Sequence, residues 1–143
     1  MDKYRPHAVT RETRADGTIV LRSAYDMSPV ANKTGDWVDA WAVKAADRVF
    51  IAERSGEGWR EVSYAETRQQ VRAIAASLLA RGMGADTPIM VISGNGVDHG
   101  LLTLAAQYIG VPTVPLAEQY ALIPGARPQL IHCAELIKPA TVY

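Results

Sequence analysis

Two periods of apolar residues run through this chain. From Val71 through Ile74, Ala75, Leu78 and Leu79 they recur every three to four positions, the spacing that gives a helix one apolar stripe. Ser63-Tyr64-Ala65-Glu66 ahead of the stripe is a capping box, in which the serine oxygen accepts from a first-turn amide and the glutamate reaches back to the cap. Gly82 supplies the left-handed position that closes the helix. Val97, Leu101, Leu104, Ala105 and Tyr108 repeat the helical spacing and stop at Gly110. Gln129 to Ile137 predicts another helix, with Leu130, Cys133, Ala134 and Ile137 on one side, after the breaker Gly125-Ala126-Arg127-Pro128 and before Pro139. A helix starting at Thr34 or Asp36 places Trp37, Trp41 and Ala45 on one face, where the indoles are expected to anchor a core, and sets Asp36 and Asp39 near the positive end of the helix dipole.

Between these stretches the pattern is that of strands. Pro88-Ile89-Met90-Val91-Ile92-Ser93 is a continuous apolar run, as in a strand buried on both faces. Val111 to Leu116 is a further strand, short or at an edge because Pro112 and Pro115 cannot donate to a ladder. Ala140-Thr141-Val142-Tyr143 begins one more. Val49-Phe50-Ile51-Ala52 and Trp59 to Ser63 flank Ser55-Gly56-Glu57-Gly58 as a hairpin, and Asp16-Gly17 before Thr18-Ile19-Val20-Leu21-Arg22 reads as an N-terminal β-hairpin turn. Strand and helix alternating in the second half predict an α/β fold, a parallel sheet with helices on its faces. Residues 1–15 are read as a polar tail and 16–143 as the α/β unit.

Composition narrows the classes. In 143 residues, 15 Lys+Arg balance 15 Asp+Glu, so the clustered positive excess of a nucleic-acid or anionic-membrane binder is missing. A single cysteine excludes an internal disulfide, and the three histidines, His7, His99 and His132, lie too far apart for a zinc spacing, so no metal site is expected. The first residues mix charges and lack an apolar run, which leads to the expectation of a cytoplasmic protein without a secretory signal. The stretch from His99 to Glu118 holds no charge between its ends, but Gly110, Pro112 and Pro115 cut it into pieces too short to cross a bilayer.

Charge is unevenly spread. Residues 82–143 hold six charged side chains, Asp86, Asp98, Glu118, Arg127, Glu135 and Lys138, against 24 before them. That is too few for an ordinary surface, so part of this half is expected to be covered by further protein or by self-association.

In α/β sheets ligands sit beyond the carboxyl ends of strands, which directs attention to the turn Ser93, Gly94, Asn95, Gly96, Val97, Asp98, His99, Gly100. It is the one candidate binding turn, and only a loose match to G-x-G-x-x-G, since His99 occupies the third glycine's place. The plain alternative is a tight strand-to-helix turn in which Asp98 favours the helix start. His99 has no evident partner but its neighbour Asp98 and is read as a solvated or capped helix-start residue. Cys133 is read as a buried, inert thiol, with His132 pointing elsewhere on the helix. Nowhere is there a G-x-x-x-x-G-K-[ST], a G-x-S-x-G or an H-E-x-x-H, so no catalytic residue is assigned.

Ordered segments from Asp47 onward resemble the N-terminal part of AMP-forming acyl-CoA synthetases, members of the adenylate-forming superfamily. They are Asp47 to Glu53, Trp59 to Glu66, Val71 to Gly82, Val91-Ile92-Ser93-Gly94-Asn95 and Tyr108-Ile109-Gly110-Val111-Pro112. Asp16 to Ser23 and Ser93-Gly94-Asn95 with Asp98-His99 are similar to the feruloyl-CoA synthetase subgroup. The resemblance implies a parent enzyme using ATP, magnesium and coenzyme A to convert a carboxylic acid, through an acyl-adenylate, to a thioester. The family's phosphate loop, nucleotide motifs and catalytic lysine match no residue here. The chain is therefore expected to be an incomplete, inactive N-terminal subdomain whose partner is the remainder of the synthetase. Two other readings stay open: a stand-alone nucleotide-binding or interaction module, and part of an adenylation domain that loads a carrier protein.

Overall fold

The computed structural model describes residues 4–143, which divide into two compact units, one ending at Val30 and one spanning Ala31–Tyr143. In the first unit β1 (Val9–Thr13) and β2 (Ile19–Ser23) pair antiparallel. Gly17 takes a φ of +82°, and the Asp16 carboxylate accepts from the Thr18 amide at 3.0 Å, so the Asp-Gly turn forms as its residues require. The hairpin's first strand lies inside the stretch read as a tail. Its sequence, Val-Thr-Arg-Glu-Thr, alternates too weakly to be recognised alone and is specified by its partner, with Glu12 and Arg22 joined at 2.6 Å.

The second unit runs α1 (Thr34–Lys44), β3 (Val49–Ser55), β4 (Gly58–Ser63), α2 (Tyr64–Ala80), β5 (Ile89–Val91), α3 (Val97–Tyr108), β6 (Thr113–Pro115), α4 (Gln119–Leu122), a 3₁₀ turn at Pro124–Ala126, α5 (Arg127–Ile137) and β7 (Thr141–Val142). β3 and β4 form the expected hairpin, and β6, β5 and β7 form a parallel sheet in that order. Central β5 is fully buried, whereas β6 lies at the edge, as its prolines demand. The capping box closes as read: Ser63 N donates to Glu66 Oε2 at 2.8 Å and Glu66 N to Ser63 Oγ at 3.3 Å.

The core is made by α2 and α3 against the hairpin and sheet. Val62, Val71, Ala75, Val97, Leu101 and Ala105 form one cluster; Leu78, Met83, Ile89, Val91, Ala106 and Val111 form another. Each fully buried aliphatic side chain contributes about 1.5–3 kcal/mol relative to exposure. α1 is tied on through Asp39, which accepts from the Tyr108 hydroxyl at 2.7 Å and from Arg72 at 2.9 Å. Gly35 lies against the Tyr108 ring, where a Cβ would collide.

That close approach overturns the expectation for α1. The side it buries is Gly35, Val38 and Ala42, at i, i+3 and i+7, while Trp37 and Trp41 remain 60% and 44% exposed. Small residues let the helix sit tightly on its neighbour; the indoles fall on the adjacent face. α5 differs too. The side predicted to face inward is the one least exposed, but none of its residues is buried, and Cys133 is half-buried. Ile131 and Leu136 on its other sides are open to solvent, in keeping with the thin charge of this half. Among the described residues no helix is long and apolar enough to cross a membrane.

Candidate functional site

β5 ends at Val91 and the chain turns through Ser93 to Gly96 before α3 begins at Val97. A strand followed so soon by a helix folds the first helical turn back over the strand end. Ser93 Oγ and His99 Nδ1 are thereby brought to 3.1 Å. The sequence reading gave His99 only Asp98 as a partner. The structure corrects this: Asp98 turns to Arg60, at 2.7 Å, and His99 turns to Ser93. Serine and histidine stand six positions apart across a strand-to-helix turn, where neither period holds, so only the length of the βα turn could have revealed the pair.

These residues border a cavity of about 410 Å³ at the carboxyl ends of β5 and β6, where Ser93, Gly94, Asn95 and His99 face Leu116 and Glu118. Glu118 was not among the candidate residues. It precedes α4, which the sequence pattern did not predict. Its carboxylate oxygen lies 3.3 Å from the position a Cβ would take on Gly94, so the glycine leaves room for it. Of the candidate turn, Ser93, Gly94, Asn95 and His99 line the cavity, but Gly96 does not.

Gly96 instead meets the hairpin. Glu53 of β3 accepts from the Val97 amide at 2.8 Å and from Arg60 of β4 at 2.9 Å. A Cβ on Gly96 would stand 2.7 Å from Glu53 Oε2, and one on Gly100 2.7 Å from Ile51 Cδ1. These two glycines thus serve the packing of β3 on α3. Arg60, between Asp98 and Glu53, has its guanidinium pKa pushed up, chiefly by the Asp98 bond, and Asp98 is held below the ordinary aspartate range by Arg60 against the opposing effect of burial.

This arrangement does not fit a nucleotide phosphate or its magnesium ion. The first amide of α3 already has a carboxylate acceptor, and the charged side chain lining the cavity is Glu118, which repels anions. Among the described residues no three His, Cys, Asp or Glu side chains cluster as a metal site. Nor is Ser93 an activated nucleophile: its bond uses Nδ1, and no described carboxylate bonds the other ring nitrogen to orient the ring as a base. Cys133 and His132 border a separate depression of about 350 Å³ without a hydrogen bond between them.

A second cavity, of about 520 Å³, lies among Trp37, Trp41, Phe50, Tyr64, Val38 and Leu104. Trp41 stacks on Tyr64 at 5.7 Å, and Phe50 tilts onto Tyr64 at 5.0 Å. Phe50 reaches it because the β3–β4 register shifts between Val49 and Ile51.

The model of the AMP-binding enzyme family matches residues 38–130, and the chain belongs to that family. Among solved structures it is similar to a fatty acid AMP ligase from Legionella pneumophila, with a TM-score of 0.71, 20% identity and coverage of 78% of this chain and 19% of that one. It is similar also to the Klebsiella oxytoca NpsA N-terminal subdomain in complex with anthranilyl-AMSN, with a TM-score of 0.64, 17% identity and coverage of 77% and 27%. The N-terminal domain of FACL13 from Mycobacterium tuberculosis gives a TM-score of 0.66 at 18% identity, covering 77% and 26%. No curated protein matches. The chain thus spans less than a third of the length of these solved chains. Its sheet and helices correspond in fold to the N-terminal part of those solved enzymes.

Proposed function

We propose that this chain is the N-terminal scaffold of an ATP-dependent acid:coenzyme A ligase and is inactive alone. The parent would join a carboxylic acid to AMP with release of pyrophosphate, then pass the acyl group to coenzyme A. ATP and magnesium would be held outside the residues described here. The observation carrying this reading is the cavity beyond β5 and β6, which holds a carboxylate where a phosphate site needs donors, while the helix amide above it is already capped by Glu53.

The finer assignment, an aromatic acid such as ferulate, is supported by the resemblance of Asp16 to Ser23, and of Ser93-Gly94-Asn95 with Asp98-His99, to the feruloyl-CoA synthetase subgroup. A carrier protein in place of coenzyme A is the second reading, and an artificially fused NpsA-ThdA adenylation-PCP di-domain, with a TM-score of 0.54 over 61% of this chain, is what favours keeping it. The open aromatic cavity and exposed α5 are the surfaces the rest of the synthetase would cover. Left uncovered they favour self-association, since apolar area in water costs roughly 25 cal/mol per Å².

The test is incubation of the purified chain with ATP, magnesium, ferulate and coenzyme A. No feruloyl thioester should form; thioester formation by the chain alone overturns the proposal. Light scattering over a concentration series should show association, and a monomer throughout would remove that part of it.

A further inference from the structure

The cavity beyond β5 and β6 is lined by one charged side chain, Glu118, beside the neutral polar side chains of Ser93, Asn95, His99 and Gln119. Glu118 is half-buried, and its carboxylate has neither a hydrogen bond nor an ion pair among the described residues, although its backbone carbonyl accepts from Ala121 and Leu122. Nearby Glu53 and Asp98 share a single cation, Arg60, whose two terminal nitrogens are both engaged, and no Lys or Arg lines the cavity. The local balance is therefore negative, and an unpaired, half-buried carboxylate is stabilised by a cation that can also donate hydrogen bonds.

His99 adds a second acceptor. When its Nδ1–H donates to Ser93 Oγ, the bond fixes the ring and leaves Nε2 with a lone pair. Asn95, exposed at the mouth, adds an amide oxygen, and Pro115, Leu116 and Ala117 form an apolar wall. Three acceptors with one negative charge, beside apolar carbon, correspond in number and charge to the three N–H donors of a primary ammonium on a short alkyl chain. A divalent metal fits poorly, since no cluster of three ligating side chains exists among the described residues.

We propose that this cavity is a binding site for a small primary alkylammonium group, held by Glu118, His99 Nε2 and Asn95, with Ser93 positioning the imidazole. The inference stands apart from the ligase reading: it concerns ligand contacts of the isolated chain, and either can fail without the other.

The test is a titration of the isotopically labelled chain with n-butylammonium chloride at constant ionic strength, followed by NMR at the Gly94 and Asn95 amides and the His99 ring nitrogens. Saturable shifts at these positions are expected, with His99 protonated on Nδ1. Butyltrimethylammonium, which has no N–H, should lose most of the effect. Glu118→Gln should bind about tenfold more weakly, as for loss of a hydrogen bond to a charged group. Removal of an unpaired, half-exposed charge leaves the fold intact, which the variant's remaining resonances verify. Absence of saturation, unchanged affinity in Glu118→Gln, equal binding of the quaternary ion, a proton on Nε2, or saturation of the same resonances by inorganic phosphate would each overturn the assignment.

Discussion

Glu53 Oε2 lies 2.8 Å from the Val97 amide, so a residue of β3 caps a helix that starts 44 positions later. α3 has glycine at its own cap position and no capping side chain, and the hairpin supplies what the helix lacks. Glu53→Ala should therefore destabilise the chain by about 1 kcal/mol, and Glu53→Gln by less, because an acceptor remains. The sign of a second change should depend on the first. Serine is ordinarily a better cap than glycine, yet a Cβ at position 96 meets Glu53 at 2.7 Å. Gly96→Ser should fail to stabilise the natural chain and should stabilise Glu53→Ala. Urea midpoints of the natural chain, Glu53→Ala, Gly96→Ser and the double variant decide it; additive effects would show that Glu53 and Gly96 are not coupled.

Acid should loosen α1. Burial opposes ionisation of Asp39, but the Tyr108 hydroxyl and the Arg72 guanidinium outweigh it and hold its pKa below the ordinary value of 3.8. A carboxyl with a depressed folded pKa stabilises the fold above its unfolded value, and that contribution is lost as pH falls through the folded one. Stability should thus decline from near pH 4 downward, and Asp39→Asn should be less stable at neutral pH with a flatter acid limb. Equal pH slopes for the two proteins would contradict the role given to Asp39.

All three tryptophans, Trp37, Trp41 and Trp59, are between 44% and 60% exposed. Emission from the dilute folded chain should lie close to that of the urea-unfolded chain and be readily quenched by acrylamide. Trp37→Gln should change stability by less than about 0.5 kcal/mol, as for an ordinary surface position. A strongly blue-shifted dilute spectrum would show that the indoles are covered.

Thr67 is wholly buried in α2, and its hydroxyl has no hydrogen-bond partner. Thr67→Val keeps the shape and removes the unsatisfied group, so it should raise stability by about 1 kcal/mol, read as a higher thermal midpoint. A lower midpoint would mean that the hydroxyl has a partner in solution.

What the sequence made legible was what is local or periodic. The Ser63–Glu66 box, the α2 stripe, the run of β5 and the prolines of β6 each follow from a few neighbouring residues, and the parallel sheet follows from their order. The faces of α1 were misread because two indoles carry far more apolar area than a glycine, a valine and an alanine, whereas helix packing here rewards the smaller side. β1 escaped notice because its pairing, not its pattern, defines it. At the candidate site, the place of a turn that borders the cavity was legible from the strand-to-helix rule. Its chemistry was not: Glu53, Arg60 and Glu118 come from three other places in the chain, and only the folded arrangement shows that they fill or surround it.

Exchange of labelled pyrophosphate into ATP, catalysed by the purified chain with magnesium and a panel of aromatic acids, probes the scaffold reading most directly. The account predicts exchange no faster than in a protein-free blank; acid-dependent exchange above that blank would contradict it.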